Sequence, residues 1–488
     1  MPAVERHEEA GHFKRDLGVF DSTMLVIGSM IGSGIFIVSA DIARTVGSPG
    51  YLLLVWLITG VLTMTAALSY GELAGMMPQA GGQYVYLREA YNPLVGFLYG
   101  WTFFLVIQTG TIAAVAVAFA KFTGVLIPWF SEKHILLSVA GRGISAAQCL
   151  AIVSIVALTY INVLGVHTGK LVQNVFTSAK VVALSGLILL GLAIGANATA
   201  TGANFSDLWS ASTTALASDG TLSVTPLAGF GILTAIGVAM VGSLFSSDAW
   251  NNITFTAAEV VNPKRTIPMS LALGTGIVTV IYIVANIAYL VILPLAGHPD
   301  GAGAMERGIQ FATSDRVGTS VASIIFGEPA TIIMALLIMV STFGCNNGLI
   351  LSGARLSFAM AKDRLFFQKA GTLNERGVPA WALIIQAVWA SLLCLSGTYG
   401  DLLDYVVFAV LLFYILTIAG IFRLRRTRPE AERPYRALGY PFLPALYIVV
   451  AALICVDLLI YKPMFSFPGL GIVLLGIPVY FLWHRKTA

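Results

Sequence analysis

Twelve apolar stretches, each about as long as a bilayer is thick, decide what this chain can become. A helix needs about 20 apolar residues to cross the hydrocarbon core. The stretches lie near residues 19–44, 50–76, 92–127, 146–165, 171–195, 228–258, 267–295, 328–362, 380–398, 402–424, 441–461 and 464–484. Of the 488 residues, 57% are hydrophobic and only 11% are charged. A soluble domain carries about 25% charged residues, so this chain takes lipid as its solvent. Little sequence remains for a domain in water. The opening MPAVERHEEAGHFKRD is charged and lacks an apolar core, so no cleavable signal is expected there.

Basic residues alternate between successive loops. Arg6, Lys14, Arg15, Arg88, Lys170, Lys264, Arg265, Lys362, Arg364, Lys369, Arg376 and the arginine-rich segment 423–436 fall on one side, with Arg485 and Lys486. Arg44, Lys121, Lys133, Arg142, Arg307, Arg316 and Lys462 fall on the other. The positive-inside rule then places both termini in the cytoplasm and makes the number of spans even. Segment 196–227 has no Lys or Arg and is expected outside. RLRRTRPEAERPYR reads as a topology signal beside anionic membrane lipid rather than a nucleic-acid site. Cys149, Cys345, Cys394 and Cys455 are scattered through apolar runs without CxxC spacing, and the histidines sit at termini or loop edges. No metal or cofactor is expected. A membrane-embedded enzyme would need a metal cluster, a Ser/His pair or an acid dyad, whereas the carboxylates inside the runs read as isolated. A channel would need a repeated filter or a charged ring, and the sequence offers neither.

Two of the runs work against their own helicity. In the first, VIGSMIGSGIF (26–36) sets Gly28, Gly32 and Gly34 among Ser29 and Ser33. Each glycine costs about 1 kcal/mol relative to alanine in a helix. In the sixth, VGSLFSSDAWNNITF (241–255) puts Ser243, Ser246, Ser247, Asp248, Asn251 and Asn252 at membrane depth. Such groups are costly there unless they face a cavity or partners. The first run starts inside and the sixth outside. Matching interruptions in two halves of opposite topology point to the binding site of a secondary transporter. Freed N–H groups at a half-helix N-terminus suit a carboxylate, and freed carbonyls suit an ammonium. An amino acid carries both. Helix packing through a GxxxG pattern is the other reading of Gly28 and Gly32.

The fold class expected is an all-α integral membrane protein of twelve transmembrane helices, with a five-plus-five inverted repeat, broken helices 1 and 6, and two further helices. Its parts are a cytoplasmic segment 1–18, the first repeat 19–195, an extracytoplasmic loop 196–227, the second repeat 228–424, a basic cytoplasmic loop 425–440, and the last two helices with the C-terminus, 441–488.

Four stretches carry a family resemblance: IGSGIF (31–36), ELAGMMPQAGGQYVYLREAYNPLVGFLYGW (72–101), VQNVFTSAK (172–180) and LFSSDAWNNITFTAAEVVNPKRTIP (244–268). In these the chain resembles the amino acid–polyamine–organocation superfamily, most closely its L-type amino acid transporter branch. The resemblance implies a LeuT-type fold in the cell membrane. It implies sodium-independent, alternating-access exchange or proton-linked uptake of neutral L-amino acids, with a cationic amino acid or polyamine carrier as the alternative. It places the substrate carboxylate on Gly32, Ser33 and Gly34, and the ammonium on the backbone carbonyls of Met30, Phe245 and Asp248. Phe245 matches an aromatic gate, or packs as an ordinary membrane phenylalanine. Asn251 matches a polar pocket residue, or hydrogen-bonds the broken backbone.

Lys180 resembles a built-in cation at the place where sodium-coupled relatives bind an ion. It either tethers helix 1 or carries a proton. Asp248 departs from the branch, which usually has glycine there. Facing the pocket, it would select a cationic side chain or take up a proton. Facing away, it would cap or pair within the broken segment. Glu72 with Gly81, Gly82, Gln83 and Tyr84 reads as structural or as an inner gate, and Glu259 with Lys264 and Arg265 as gate or topology residues. Animal members bond to a glycoprotein heavy subunit through a cysteine in the outer loop before helix 4. Loop 128–145 has none, so no disulfide-linked subunit is expected.

Overall fold

A computed structural model describes residues 13–139, 142–217, 221–396 and 399–487. The charges ahead of Phe13 lie outside the described residues. The first run forms α1 (Val19–Met30), one 3₁₀ turn (Gly34–Phe36) and α2 (Val38–Val46). Then follow α3 (Pro49–Met76), the short α4 (Gln83–Ala90), α5 (Pro93–Leu126), α6 (Ala146–Val163) and α7 (Val166–Ile194). The sixth run forms α8 (Phe230–Ser246) and α9 (Asn252–Phe255). The remaining long helices are α10 (Pro263–Ile292), α11 (Ala330–Lys362), α12 (Ala380–Ser396), α13 (Tyr399–Thr427), α14 (Phe442–Tyr461) and α15 (Pro463–Thr487). Among the described residues, nine helices are long and apolar enough to cross a membrane: α3, α5, α6, α7, α10, α11, α13, α14 and α15. The first, sixth and ninth runs hold the shorter apolar helices α1, α8 and α12.

Local chemistry sets the ends. Ser48 accepts from the Tyr51 amide and Asn92 from the Val95 amide, each just before a proline. Ser145 and Gln148 form a capping box on α6. Gly47 closes α2 in the left-handed conformation, at φ 58°. Outward-facing Val153, Val182, Leu189 and Leu453 stay exposed, as a lipid-facing surface requires.

The all-α expectation needs a correction. β1 (Ile135–Val139) pairs with β2 (Arg142–Ser145), and β3 (Ser212–Leu216) with β4 (Leu222–Pro226), both antiparallel. These hairpins stand between α5 and α6 and between α7 and α8. Long connections satisfy their backbone groups by pairing with themselves.

A second correction concerns the carboxylates. Glu259 accepts from Arg355 Nε at 3.1 Å and Nη2 at 2.8 Å, and both side chains are buried. Glu72 accepts from Arg425 at 2.9 and 2.7 Å and from the Ala437 amide at 2.7 Å. These partners lie 96 and 353 residues apart in sequence, so no local pattern betrays them.

Candidate functional site

The Gly/Ser cluster ends α1. Ile31 turns extended at ψ 99°, and the chain passes Gly32 and Ser33 before its 3₁₀ turn. α8 ends at Ser246, and Ala249 takes a left-handed φ of 64° before α9. The two breaks touch. A Cβ on Gly34 would stand 2.1 Å from Ser246 Oγ and 3.2 Å from its Cα, so only glycine permits the contact. Gly28 is a packing glycine, its Cβ position 1.9 Å from Gln173 Nε2 on α7. Gly32 packs against nothing so close, since its nearest neighbour would be Cys345 Sγ at 3.7 Å.

Both breaks border one cavity of about 60 Å³. Met30, Gly32, Ser33 and Gly34 line it from the first break, and Phe245, Asp248 and Asn251 from the second. Lys180 does not line it. Ser29, Asn252, Gln108, Cys345 and Tyr414 also face the cavity, and sequence reasoning did not select them as site residues. Ser29 and Asn252 adjoin residues that were selected, and Ser29 Oγ and Asn252 Nδ2 are buried with no hydrogen-bond partner among the described residues. Gln108 and Tyr414 lie on α5 and α13, where no sequence signal marks them.

The broken backbone is held by side chains. Lys180 Nζ donates to the carbonyls of Gly28 (2.9 Å), Ile31 (2.7 Å) and Ser341 (2.9 Å), which uses all three of its protons. Ser341 Oγ lies 2.9 Å from the Gly32 carbonyl, and Cys345 Sγ 3.1 Å from that of Ser29. Tyr282 Oη reaches the carbonyls of Met30 (3.3 Å) and Ser246 (3.1 Å), one from each break. The Phe245 carbonyl accepts from the Asp248 amide at 3.2 Å. The Met30 and Phe245 carbonyls thus already have donors, and each oxygen keeps a second lone pair. The amides of Gly32 and Ser33, by contrast, donate to no backbone carbonyl among the described residues.

Asp248 accepts from Tyr414 Oη on α13 at 2.5 Å, and the Ala249 amide, within the broken segment, also hydrogen-bonds its carboxylate. Its side chain borders both the central cavity and an adjoining pocket of about 20 Å³ with Trp250 and Tyr447. Asn251 Nδ2 donates to the Gln83 side chain at 3.0 Å rather than to the broken backbone. Phe245 borders the central cavity and also a wide one of about 600 Å³, shared with Ser33, Lys133 and Arg316. It stands between the site and the hairpin face.

The opposite, terminal face is closed. A cavity of about 490 Å³ there, bounded by Arg15, Arg88 and Asp363, shares no residue with the central one. Between them the Glu259 carbonyl accepts from the amides of Asp16 (2.9 Å) and Leu17 (3.0 Å), and Glu259 holds Arg355. Lys170 Nζ binds the Asp16 carboxylate at 2.9 Å. Burial pushes the Asp16 carboxyl up, but Lys170 and His167 beside it hold it below the usual carboxylate range.

A family model described as amino acid permease matches residues 17–477. The chain is 28% identical over 476 residues to the b(0,+)-type amino acid transporter 1 of Mus musculus, covering 96% of this chain and 88% of that one. It is 29% identical over 487 residues to the serine/threonine exchanger SteT of Bacillus subtilis, covering 99% and 100%. It is 29% identical over 481 residues to the large neutral amino acids transporter small subunit 2 of Homo sapiens, covering 97% and 82%.

Proposed function

This chain belongs to the amino acid permease family, and from that membership we propose that the cavity between its two breaks carries one amino acid at a time across the membrane. The observation that carries this reading is the pair of amides at Gly32 and Ser33, which among the described residues donate to no backbone carbonyl and belong to residues lining the cavity that the second break also lines. With Gly34 they receive the substrate carboxylate. The second lone pairs of the Met30 and Phe245 carbonyls, with the Asp248 carbonyl, receive the ammonium. Phe245 closes the site toward the hairpin face, and Asn251 with Gln83 shapes its floor.

Lys180 is the fixed cation of the scheme. It gathers carbonyls from α1 and α11 as a bound ion would, which supports transport without sodium and ties α1 to the bundle. The chain crosses the cell membrane twelve times with cytoplasmic termini. Its inverted halves at 19–195 and 228–424 rock about the site, and α14 and α15 stand outside them. It works without a disulfide-linked heavy subunit, since loop 128–145 carries no cysteine.

Neutral L-amino acids are the favoured substrates, moved by exchange or proton-linked uptake. The names of the serine/threonine exchanger and the large neutral amino acids transporter support that class. One observation favours a second reading, a cationic amino acid or polyamine carrier. Asp248 borders the cavity with Tyr414 as its hydrogen-bond donor and, among the described residues, no cation beside it.

Uptake of radiolabelled L-alanine, L-leucine and L-arginine into proteoliposomes tests both. Neutral uptake that needs internal unlabelled substrate, and not sodium, is the expected result. Asp248→Asn keeps an oxygen for Tyr414 and should leave that uptake within a few-fold of wild type. Arginine preference in the wild type, lost in Asp248→Asn, would instead establish the cationic carrier. Failure to take up any of the three by a correctly folded protein would remove the site assignment.

A further inference from the structure

On the terminal face, α5, α12, α15 and the segment after α11 enclose a groove of about 540 Å³. Ligand-binding clefts run from about 300 to 1,000 Å³. Trp101, Phe104, Phe367, Trp381, Val388 and Trp483 are among its walls. The groove shares no residue with the central cavity. Phe367, Trp381 and Val388 are exposed on the lipid-facing side, so it opens sideways into the bilayer.

No indole N–H of Trp101 or Trp389 is left for a polar ligand. They donate to the carbonyls of Ile472 and Leu105, each at 3.0 Å. The interior therefore suits hydrocarbon. The rim is different: Lys369 Nζ stands 5.1 Å from the centre of the Trp381 ring, and exposed Lys362 and Arg364 lie on the same face. This is the face with the excess of basic residues, where anionic lipid headgroups are drawn. A neutral apolar ligand would make no use of Lys369, and a water-soluble anion would make no use of the groove.

We propose that this groove binds an acyl chain of an anionic glycerophospholipid whose phosphate sits at Lys369. Its inner wall gives the site a bearing on transport. One π turn, Phe103–Ile107, interrupts α5. Phe104 and Leu105 face the groove, while Phe103 and Ile107 line the central cavity. π turns recur at functional sites, and here a lodged chain presses on the helix that walls the substrate.

Four of the eight tryptophans line the groove, namely Trp101, Trp381, Trp389 and Trp483. Tryptophan fluorescence of the full chain in phosphatidylcholine vesicles therefore reads occupancy when acyl-brominated lipid is titrated in. Brominated phosphatidylglycerol should quench at a several-fold lower mole fraction than brominated phosphatidylcholine. Lys369→Gln and Lys369→Glu, at an exposed position, should abolish that difference. Dissolved glycerol 3-phosphate should leave the quench unchanged. Equal quenching by the two lipids, a preference that survives both substitutions, or reversal by glycerol 3-phosphate would overturn the proposal. The readout needs no transported substrate, so it stands or falls apart from the uptake assay.

Discussion

Three glycines within seven residues do three different jobs, and a methyl group separates them. At Gly34 an alanine would press on the Ser246 backbone, with its Cβ 3.2 Å from Cα as well as 2.1 Å from Oγ. Overpacking of this kind costs about 1–3 kcal/mol. Gly34→Ala should lower the thermal unfolding temperature and abolish uptake. At Gly32 the added methyl would meet only Cys345 Sγ at 3.7 Å. Gly32→Ala should keep wild-type thermal stability yet raise the substrate concentration for half-maximal uptake at least several-fold, because the methyl enters the carboxylate site. Equal stability losses in the two variants would contradict this division. The glycine cluster itself is legible in sequence, as is the polar run around Asp248, because both violate local helix and membrane preferences. The partners are not. Tyr414 meets Asp248 across 166 residues and Lys180 meets Gly28 across 152, contacts that only the assembled bundle creates.

At the scale of elements, the terminal face is shut by two short features that periodicity does not reveal. Leu17 forms a parallel bridge with Val260 past the end of the second broken segment, the Asp16 amide donates to the Glu259 carbonyl beside it, and the Glu259 side chain grips Arg355 of α11. Removing one partner of a buried pair costs about 3–5 kcal/mol. In this closed arrangement the pair joins α11 to the segment after α9. Glu259→Gln should shift the population toward opening on this face. Cys345 lines the cavity and serves as the reporter. In a variant whose other three cysteines are replaced by alanine, maleimide entering from the terminal face should label Cys345 several-fold faster after Glu259→Gln. An unchanged rate would make the pair a purely structural tie. The long helices were readable from apolar run length to within a few residues. The hairpins and the π turn were not, since four- and five-residue strands within long connections and a single extra residue per turn leave no clear period behind.

For the whole molecule, orientation follows from how charge is distributed over two faces. The segments around Lys170, Lys264, Lys362 and 423–436 meet at one end of the bundle, sewn together by pairs such as Lys264–Glu432 and Arg428–Glu89. The hairpins and the wide cavity behind Phe245 occupy the other. Moving the arginine-rich end through a bilayer would cost far more than moving the sparsely charged end, so the proposed orientation exports the sparse end. Lys133 and Arg376 are exposed representatives of the two ends. A membrane-impermeant thiol reagent applied to intact cells should label Lys133→Cys and spare Arg376→Cys until the membrane is permeabilised, in a background lacking the four native cysteines. The same pattern decides where the gate faces. If position 133 is labelled from outside, the cavity behind Phe245 opens outward, and the structure is closed toward the cytoplasm. If position 376 is labelled instead, the Glu259–Arg355 pair becomes the outer closure, and Phe245 must close the site against the cytoplasm.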